Sequence, residues 1–452
     1  AASMFVLTAC GSSNNSANTD AAAQPAAEEP AATEEEPAAE EPAAAAEEQA
    51  PAEETGTPEA PEEAGDGVHE IYKLMPDIAL SGIVSPTMED RAQIDKAWPK
   101  TPKNPDKISI GWSEINLSND FFVALMESAE KAAKEYGYEI SFLIANDDTQ
   151  AQGQHVDTFI TQDVDIIVVD PINASAPVQD INRAVEAGIP VICVGTVPEE
   201  CNILTTFCTN PFIDGFESGK YAVKTFGADT EIMATVIIGV MGSSTSESRI
   251  CGQIAGILSA RMEALGTPYT CDEDAWLAGY HMFQELKASG KAASEETDFT
   301  ILGMGSGDWT VEGGLKAAED LATANANMNL ILCENDFMAV GARKALKSAG
   351  INENVEIICA ADGTAEGLEM IKSGEILCTG LGSPVEEAQF TIDFIHDIFE
   401  EGKDPSNLPM TSAFNVGIIT SENVDEYYEE GNKFYKNSEF VFPTSIDEIK
   451  GN

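Results

Sequence analysis

The chain has 452 residues, with 24 Lys and Arg against 78 Asp and Glu, a formal net charge of −54. So large an acidic excess excludes charge-driven contact with nucleic acid or an anionic membrane surface, because both partners are themselves negative. The apolar share of 43% is that of a globular protein, and the length exceeds one typical domain, so a two-lobed body with an appended segment is expected.

Residues 1–10 read AASMFVLTAC without an initiator Met, which points to the apolar end of a signal segment within a longer precursor. Small residues before Cys10, in Leu7-Thr8-Ala9-Cys10-Gly11, admit a signal peptidase, and the run resembles a bacterial lipobox in which the Cys sulfur carries a diacylglycerol. The plainer alternative is an apolar stub with an incidental Cys. Two acyl chains are what stable anchoring requires, so lipidated Cys10 would be the one membrane contact. Residues 11–67 contain no Lys or Arg and few large apolar groups, and their prolines interrupt any Ala/Glu helix, so a disordered tether is expected. A flexible chain of that length spans roughly 40 Å. An acidic binding tail is the alternative reading of the charge run. Residues 68–106 form an N-terminal extension, in which DIALSGIVS can pack on the body or stay loose.

From Lys107 the apolar runs KISIGW, EISFLIA, DIIVVD and PVICVG read as strands covered on both faces, with helices near 119–136, 150–162 and 176–187 between them. The rhythm then repeats. Helices near 211–226, 247–265, 309–323, 335–349 and 364–373 alternate with the strands ATVIIGV, FTILGMG, NLILCE, VEIICAAD and EILCTG. The fold class is therefore α/β, a βαβ series long enough for two doubly wound parallel-sheet lobes. Ligand groups in such lobes stand at the carboxyl ends of the strands.

Nine cysteines in an exported chain would suggest disulfides, yet Cys193, Cys333, Cys359 and Cys378 sit inside strand-like runs as small hydrophobes. Such usage fits export into a reducing or anaerobic setting. Cys201 and Cys208 are left open to pairing. No CxxC or Cys/His spacing signals a metal, and no cofactor is expected.

Several residues at strand ends and helix starts can be read in two ways. Asn119 opens the helix SNDFFVALMESAEKAAKEYGY as an N-cap, and Phe121 offers either a hydrophobic staple or a flat face for the C–H side of a sugar ring. Phe122, with Leu125, Met126, Ala129 and Ala133, can face the sheet while Phe121 turns to a cleft. Asp362, ending IICAAD, reads on its own as a cap of the next helix.

The segments SNDFFVALMESAEKAAKEYGYEI and VDIIVVDPINASAPVQDINRAVEAGIPVICV, followed by CENDFMAVGARKALKSAGINENVEIICAADGTAEGLEMIKSGEI, resemble the type I periplasmic binding proteins, the ribose-binding family in particular. The resemblance runs from about Lys107 to the late 430s. It implies two lobes, 107–209 plus 383–412 and 210–382 plus 413–452, joined by a three-strand hinge with crossings near Thr209-Asn210, Gly382-Ser383 and Ser412-Ala413. It places Asn119, Phe121 and Phe122 on one side of a sugar site, with Trp309, Asn335 and Asp362 on the other, and implies that Asp362 accepts hydrogen bonds from ligand hydroxyls, at about 1.5–3 kcal/mol each. Trp309 matches a stacking aromatic, though a surface-capping role is its ordinary reading. Departures from the ribose binders are equally specific: Gly195-Thr196 stands in place of Asp-Arg, Cys251 in place of an Arg with Arg249 the nearby guanidinium, and Gly382 in place of a hinge Gln. These put ribose itself in doubt. Residues 267–298 add a helix whose Trp276 and Tyr280 read as packing, with a lid as the minority reading.

Enzymatic readings lack a motif. His69, His155, His281 and His396 belong to no HExxH, no G-x-S-x-G appears, and the Gly-rich GMGSGD is not followed by GK[ST]. Adjacent carboxylates such as Asp147-Asp148 are common in so acidic a chain and give glycosidase chemistry no positive support. The expectation is a monomeric, extracytoplasmic, non-enzymatic solute-binding lipoprotein that takes a small neutral ligand, a monosaccharide first, and passes it to the permease and ATPase of an ABC importer. A nucleoside, autoinducer-2 or another non-sugar solute, or a sensor role at a membrane receptor, are the alternatives.

Overall fold

The computed structural model describes residues 67–88, 98, 102–103, 107–227, 230–351, 354–436 and 438–451. Cys10, nearly all of the tether and part of the N-terminal extension lie outside the described residues. In chain order the first half runs α1 (Glu70–Lys73), β1 (Ser109–Glu114), α2 (Asp120–Tyr136), β2 (Glu139–Ile144), α3 (Thr149–Gln162), β3 (Ile166–Val169), α4 (Val178–Glu186), β4 (Val191–Val194) and β5 (Thr206–Cys208). Next come α5 (Pro211–Phe226), β6 (Ile232–Ile238), α6 (Ser244–Ala264), α7 (Asp272–Ser289), β7 (Ala292–Ser294), β8 (Phe299–Ser306), α8 (Val311–Ala324) and β9 (Leu330–Cys333). The rest is α9 (Asp336–Ala349), β10 (Glu356–Cys359), α10 (Ala365–Ser373), β11 (Cys378–Gly380), α11 (Pro384–Phe399), β12 (Thr411–Ala413), β13 (Ile418–Thr420), α12 (Val424–Tyr427) and α13 (Ile446–Ile449).

Uninterrupted apolar runs supply the central strands, and β3, β4 and β9 are buried along their whole length, as parallel strands covered on both faces must be. Two sheets result. The six-stranded sheet has the order β12-β5-β4-β3-β1-β2 with every pair parallel, and the seven-stranded sheet has β13-β11-β10-β9-β6-β8-β7 with antiparallel pairs only at its two edges. The chain passes from the first sheet to the second after β5, returns after β11 into α11, and crosses again between β12 and β13. Helix α11, which packs on α2, escapes the periodic reading although Ser383 stands at its N-cap position, without a side-chain capping bond, and Pro384 opens it.

Helices start where a short polar side chain accepts from the first turn. Asn119, Asp148, Asn210, Ser243, Thr310, Asn335 and Thr364 each do so. The helix expected from 247 begins at Ser244 because Ser243 is its cap, and the helix expected from 309 begins at Val311 because Thr310 is. Asp362 does not cap α10; Thr364 does.

Helices α5 and α6 cross at glycines. A Cβ on Gly215 would stand 2.2 Å from Arg249 O, one on Gly219 2.2 Å from Gln253 O, and one on Gly256 2.0 Å from Phe216 O. Backbone therefore meets backbone, and this contact sets Arg249 at the inner end of α6.

The N-terminal extension is part of the second core. Ile71, Leu80 and Ile83 are buried with Phe212, Ile254 and Phe283. It docks on α6, where Ser81 Oγ donates to Ser244 O at 3.2 Å, and on the inserted helix α7: Tyr280 donates to Asp77 Oδ2 at 2.7 Å, Tyr72 donates to Glu273 Oε1 at 3.0 Å, and His69 Nε2 lies 3.1 Å from Asp274 Oδ1. Trp276 stacks edge-on against Phe212 and Phe216, which is packing. His69, Cys271 and Asp274 bring one donor atom each within 4.8 Å of one another, a juxtaposition no linear spacing signals. No disulfide joins Cys201 to Cys208 or involves the strand cysteines Cys193, Cys333, Cys359 and Cys378, and all six are buried.

Candidate functional site

One cavity, enclosing about 610 Å³ of empty space that is partly open to solvent, lies between the carboxyl ends of the two sheets. It is lined by Asn119, Phe121, Phe122, Arg249, Trp309, Asn335 and Asp362, so the structure brings all seven expected side chains to one place. Cys10, the expected lipid site, is outside the described residues. Phe122 lines the cavity as well, whereas Leu125, Ala129 and Ala133 belong to the buried cluster beneath α2. Of the two places expected for Phe122, the sheet face and the cleft, the structure gives it the second: it lines the cavity at 6% exposure and stays out of that cluster. Phe121 sets its edge against Phe122 at 5.7 Å and against Phe434 at 6.2 Å.

Asn119 accepts from the backbone of Phe121 and Phe122 through Oδ1, and its Nδ2 donates to the Trp309 carbonyl at 3.4 Å. Asn335 accepts from Met338 N and donates to the same carbonyl at 3.5 Å. Each asparagine is therefore a cap and a wall of the cavity at once. Trp309 follows Asp308 with both φ values positive, 55° and 49°, which folds the loop back so that the indole lies on Gly239. A Cβ at Gly239 would stand 2.0 Å from Trp309 Nε1. That nitrogen donates to Glu334 Oε2 at 3.1 Å, and Ser246 donates to the same oxygen at 2.9 Å.

Asp362 is 3% exposed, its Oδ1 lies 3.9 Å from Arg249 Nη2, and its Oδ2 has no hydrogen-bond partner. Burial pushes its carboxyl up to about 7, against the pull of Arg249. The loop that carries it is held by Asp336 Oδ2, which accepts from Thr364 N at 2.7 Å and from Thr364 Oγ1 at 3.0 Å. Arg249 is 7% exposed and its Nε is likewise unpaired.

Sequence reasoning passes over two acids that line the same cavity. Asp170 ends the run IIVVD, and Glu387 stands in the first turn of α11. The strand-end position was a usable signal for Asp170. For Glu387 the Ser-Pro start of α11 was the available sign. Asp170 lies where a Cβ on Gly195 would meet its Oδ1 at 3.0 Å, so a carboxylate reaches from β3 into space left by the short residue after β4. Burial and the neighbouring Glu114 drive Asp170 well above the usual carboxylate range, and burial pushes Glu387 up to about 8 and Glu114 up to about 7. Gly195 and Gly382 line the cavity in person, Cys251 is buried in the core of α6, and Thr196 shares a 3.3 Å contact with Ser243.

Further bonds tie the two sides together around the cavity. Thr245 Oγ1 donates to Gly195 O at 2.6 Å, and Val197 N donates to Ser244 Oγ at 2.7 Å. The arrangement offers carboxylate acceptors, amide donors, one guanidinium and three aromatic faces. That is equipment for holding a small polar molecule.

Against known families, residues 110–404 match the model of the periplasmic binding protein domain. The chain belongs to that family. Among relatives of this periplasmic binding protein are the ribose import binding protein of Bacillus subtilis, 22% identical over 307 residues, covering 68% of this chain and 87% of that protein, and the xylitol-binding protein of Mycolicibacterium smegmatis, 24% identical over 326 residues, covering 72% and 80%. Solved structures agree in fold. The Caulobacter myo-inositol binding protein superposes with a TM-score of 0.57 at 23% identity, covering 71% of this chain and 95% of its own. A solute binding protein of Actinobacillus succinogenes with bound D-allose gives 0.56 at 22%, covering 71% and 100%. The periplasmic binding protein match starts after residues 67–88, so the extension docked on α7 lies outside the family region.

Proposed function

We propose that the protein captures a monosaccharide or closely related polyol outside the cytoplasm and delivers it to the membrane subunits of an ABC importer. The observation that carries this is a single cavity walled from both sheets, by Asn119, Phe121 and Glu387 on one side and Trp309, Asn335 and Asp362 on the other. A ligand that touches both walls favours the shut arrangement, because only there are all its contacts made. The two lobes, 107–209 with 383–412 and 210–382 with 413–452, move about the three crossings. No catalytic role is assigned, and the protein acts as a monomer. The relatives are named as import binding or solute-binding proteins, which supports the transport reading.

A lipid on Cys10 would hold the body at the outer face of the membrane. No helix among the described residues is long and apolar enough to cross one. Fatty-acid labelling that disappears in Cys10→Ser would support the anchor, and unchanged labelling would refute it.

The primary test is thermal unfolding of the protein with pentoses, hexoses, inositols, nucleosides and amino acids. A true ligand at one hundred times its Kd adds about 2.7 kcal/mol of stability. A shift confined to nucleosides or amino acids would overturn the substrate class and leave the fold untouched.

A further inference from the structure

The cavity has more buried carboxyl groups than cations to meet them. Asp170, Asp362 and Glu387 line it at 2%, 3% and 5% exposure, and among the described residues the one lining cation is Arg249. Arg249 comes from α6, on the second-sheet side, and its guanidinium lies 3.9 Å from Asp362. On the first-sheet wall the balance is different. Asp170 shares a hydrogen bond with Glu114, whose oxygens also accept from Trp112 Nε1 at 3.1 Å and Ile115 N at 3.0 Å, and among the described residues no ion pair forms on Asp170, Glu114 or Glu387. Arg249 does reach Glu387, but Glu114 acts on it more strongly in the opposite sense. Glu387 Oε1 is enclosed with no hydrogen-bond partner.

A ligand hydroxyl can satisfy such an oxygen but cannot offset the like charge that develops when these carboxyls, pushed up by burial and by one another, lose their protons. An ammonium group does both, with three donors and a full positive charge in a site where unpaired charge is costly. Gly195 leaves room on this wall, and the Asp170 carboxylate reaches into it: a Cβ at Gly195 would stand 3.0 Å from Asp170 Oδ1.

We infer that the ligand carries a protonated amine, an amino-substituted monosaccharide or amino-polyol whose ammonium sits between Asp170 and Glu387. This rests on reading the cavity as a saccharide site. The hydroxyls then fall to Asn119, Asn335 and Asp362, and the ring to Phe121 and Trp309.

The test is titration calorimetry of the intact protein at neutral pH with three matched sets: hexoses, their 2-amino-2-deoxy forms and the N-acetyl forms, together with sugar alcohols and their 1-amino-1-deoxy forms. An amino form binding at least tenfold tighter than both its parent and its N-acetyl counterpart is the expected result, a difference of about 1.4 kcal/mol. Asp170→Asn and Glu387→Gln should each bring that ratio close to one. The comparison on the unaltered protein stands even where a variant does not fold. A parent sugar that binds as tightly as its amine overturns the inference and leaves the saccharide reading intact. Silence across all saccharides, charged and neutral, overturns both. An amine preference that survives both substitutions overturns the seat assigned to the ammonium.

Discussion

Asn119 and Asn335, which cap helices packed on different sheets, donate to the same acceptor, the Trp309 carbonyl, at 3.4 and 3.5 Å. One of these bonds spans the cavity and the other stays within its second wall, so Trp309 is fixed from both sides. Replacement of Asn119 by Ala removes the cap and the bridge, and should cost about 1 kcal/mol of stability together with a loss of ligand affinity. Asn119→Ser keeps a capping oxygen and should recover the stability without the affinity. Denaturant melts read beside ligand titrations separate the two; affinity restored by Ser would mean the bridge is idle.

Trp309→Ala and Asp362→Ala should each weaken ligand binding at least tenfold, about 1.4 kcal/mol. Trp309→Phe keeps an aromatic face and loses only the donation to Glu334, so its loss should be smaller than that of Ala. Calorimetry with the ligand found by the thermal screen decides this, and normal binding by both Ala variants would show that the cavity is not the site.

Buried acids give ligand-free stability a definite pH slope. Glu387 is pushed up to about 8, Asp362 and Glu114 to about 7 and Asp336 to about 6, each chiefly by burial. Their folded values exceed the unfolded ones, so the native state binds more protons than the unfolded chain in this range. The sign is then negative: stability is highest near pH 4 to 5 and declines as pH rises towards 8. Urea unfolding at pH 5 and pH 8 should show this fall, and Glu387→Gln should flatten its upper part. A midpoint that rises with pH in the unsubstituted protein would contradict the assignment.

At the crossing of α5 and α6, Gly219→Val or Gly256→Val places a side chain where backbone oxygen already stands at 2.2 or 2.0 Å. Overpacking of this kind costs about 1–3 kcal/mol, and the displaced α6 should carry Arg249 out of place. Reduced unfolding midpoints and weaker binding are both expected. A neutral result on stability would mean that the helices separate without penalty.

Leu80 is fully buried beneath the second sheet's helices although it lies in the extension. Leu80→Ala should therefore destabilise the body by about 2–5 kcal/mol, measured by chemical denaturation. A change under about 0.5 kcal/mol, the scale of a surface substitution, would show that the extension contributes nothing to the core.

The sequence by itself determined the alternation of strands and helices, because a fully covered parallel strand must be an unbroken apolar run and a helix must begin at a side chain able to accept from its first turn. IIVV, VICV and LILC, and the caps Asn119, Asn335 and Ser243, obey those local rules. Resemblance to a family added the candidate wall residues from Asn119 to Asp362. Tertiary structure alone decided that Glu387 and Asp170 join them, which of its two expected faces Phe122 takes, and that the extension and α7 hold each other through Tyr280 and Asp77. These are pairings of distant segments, and local pattern carries no record of them. Whether a carboxyl group is a solvated surface charge or a buried, proton-hungry wall depends on what the rest of the chain folds over it.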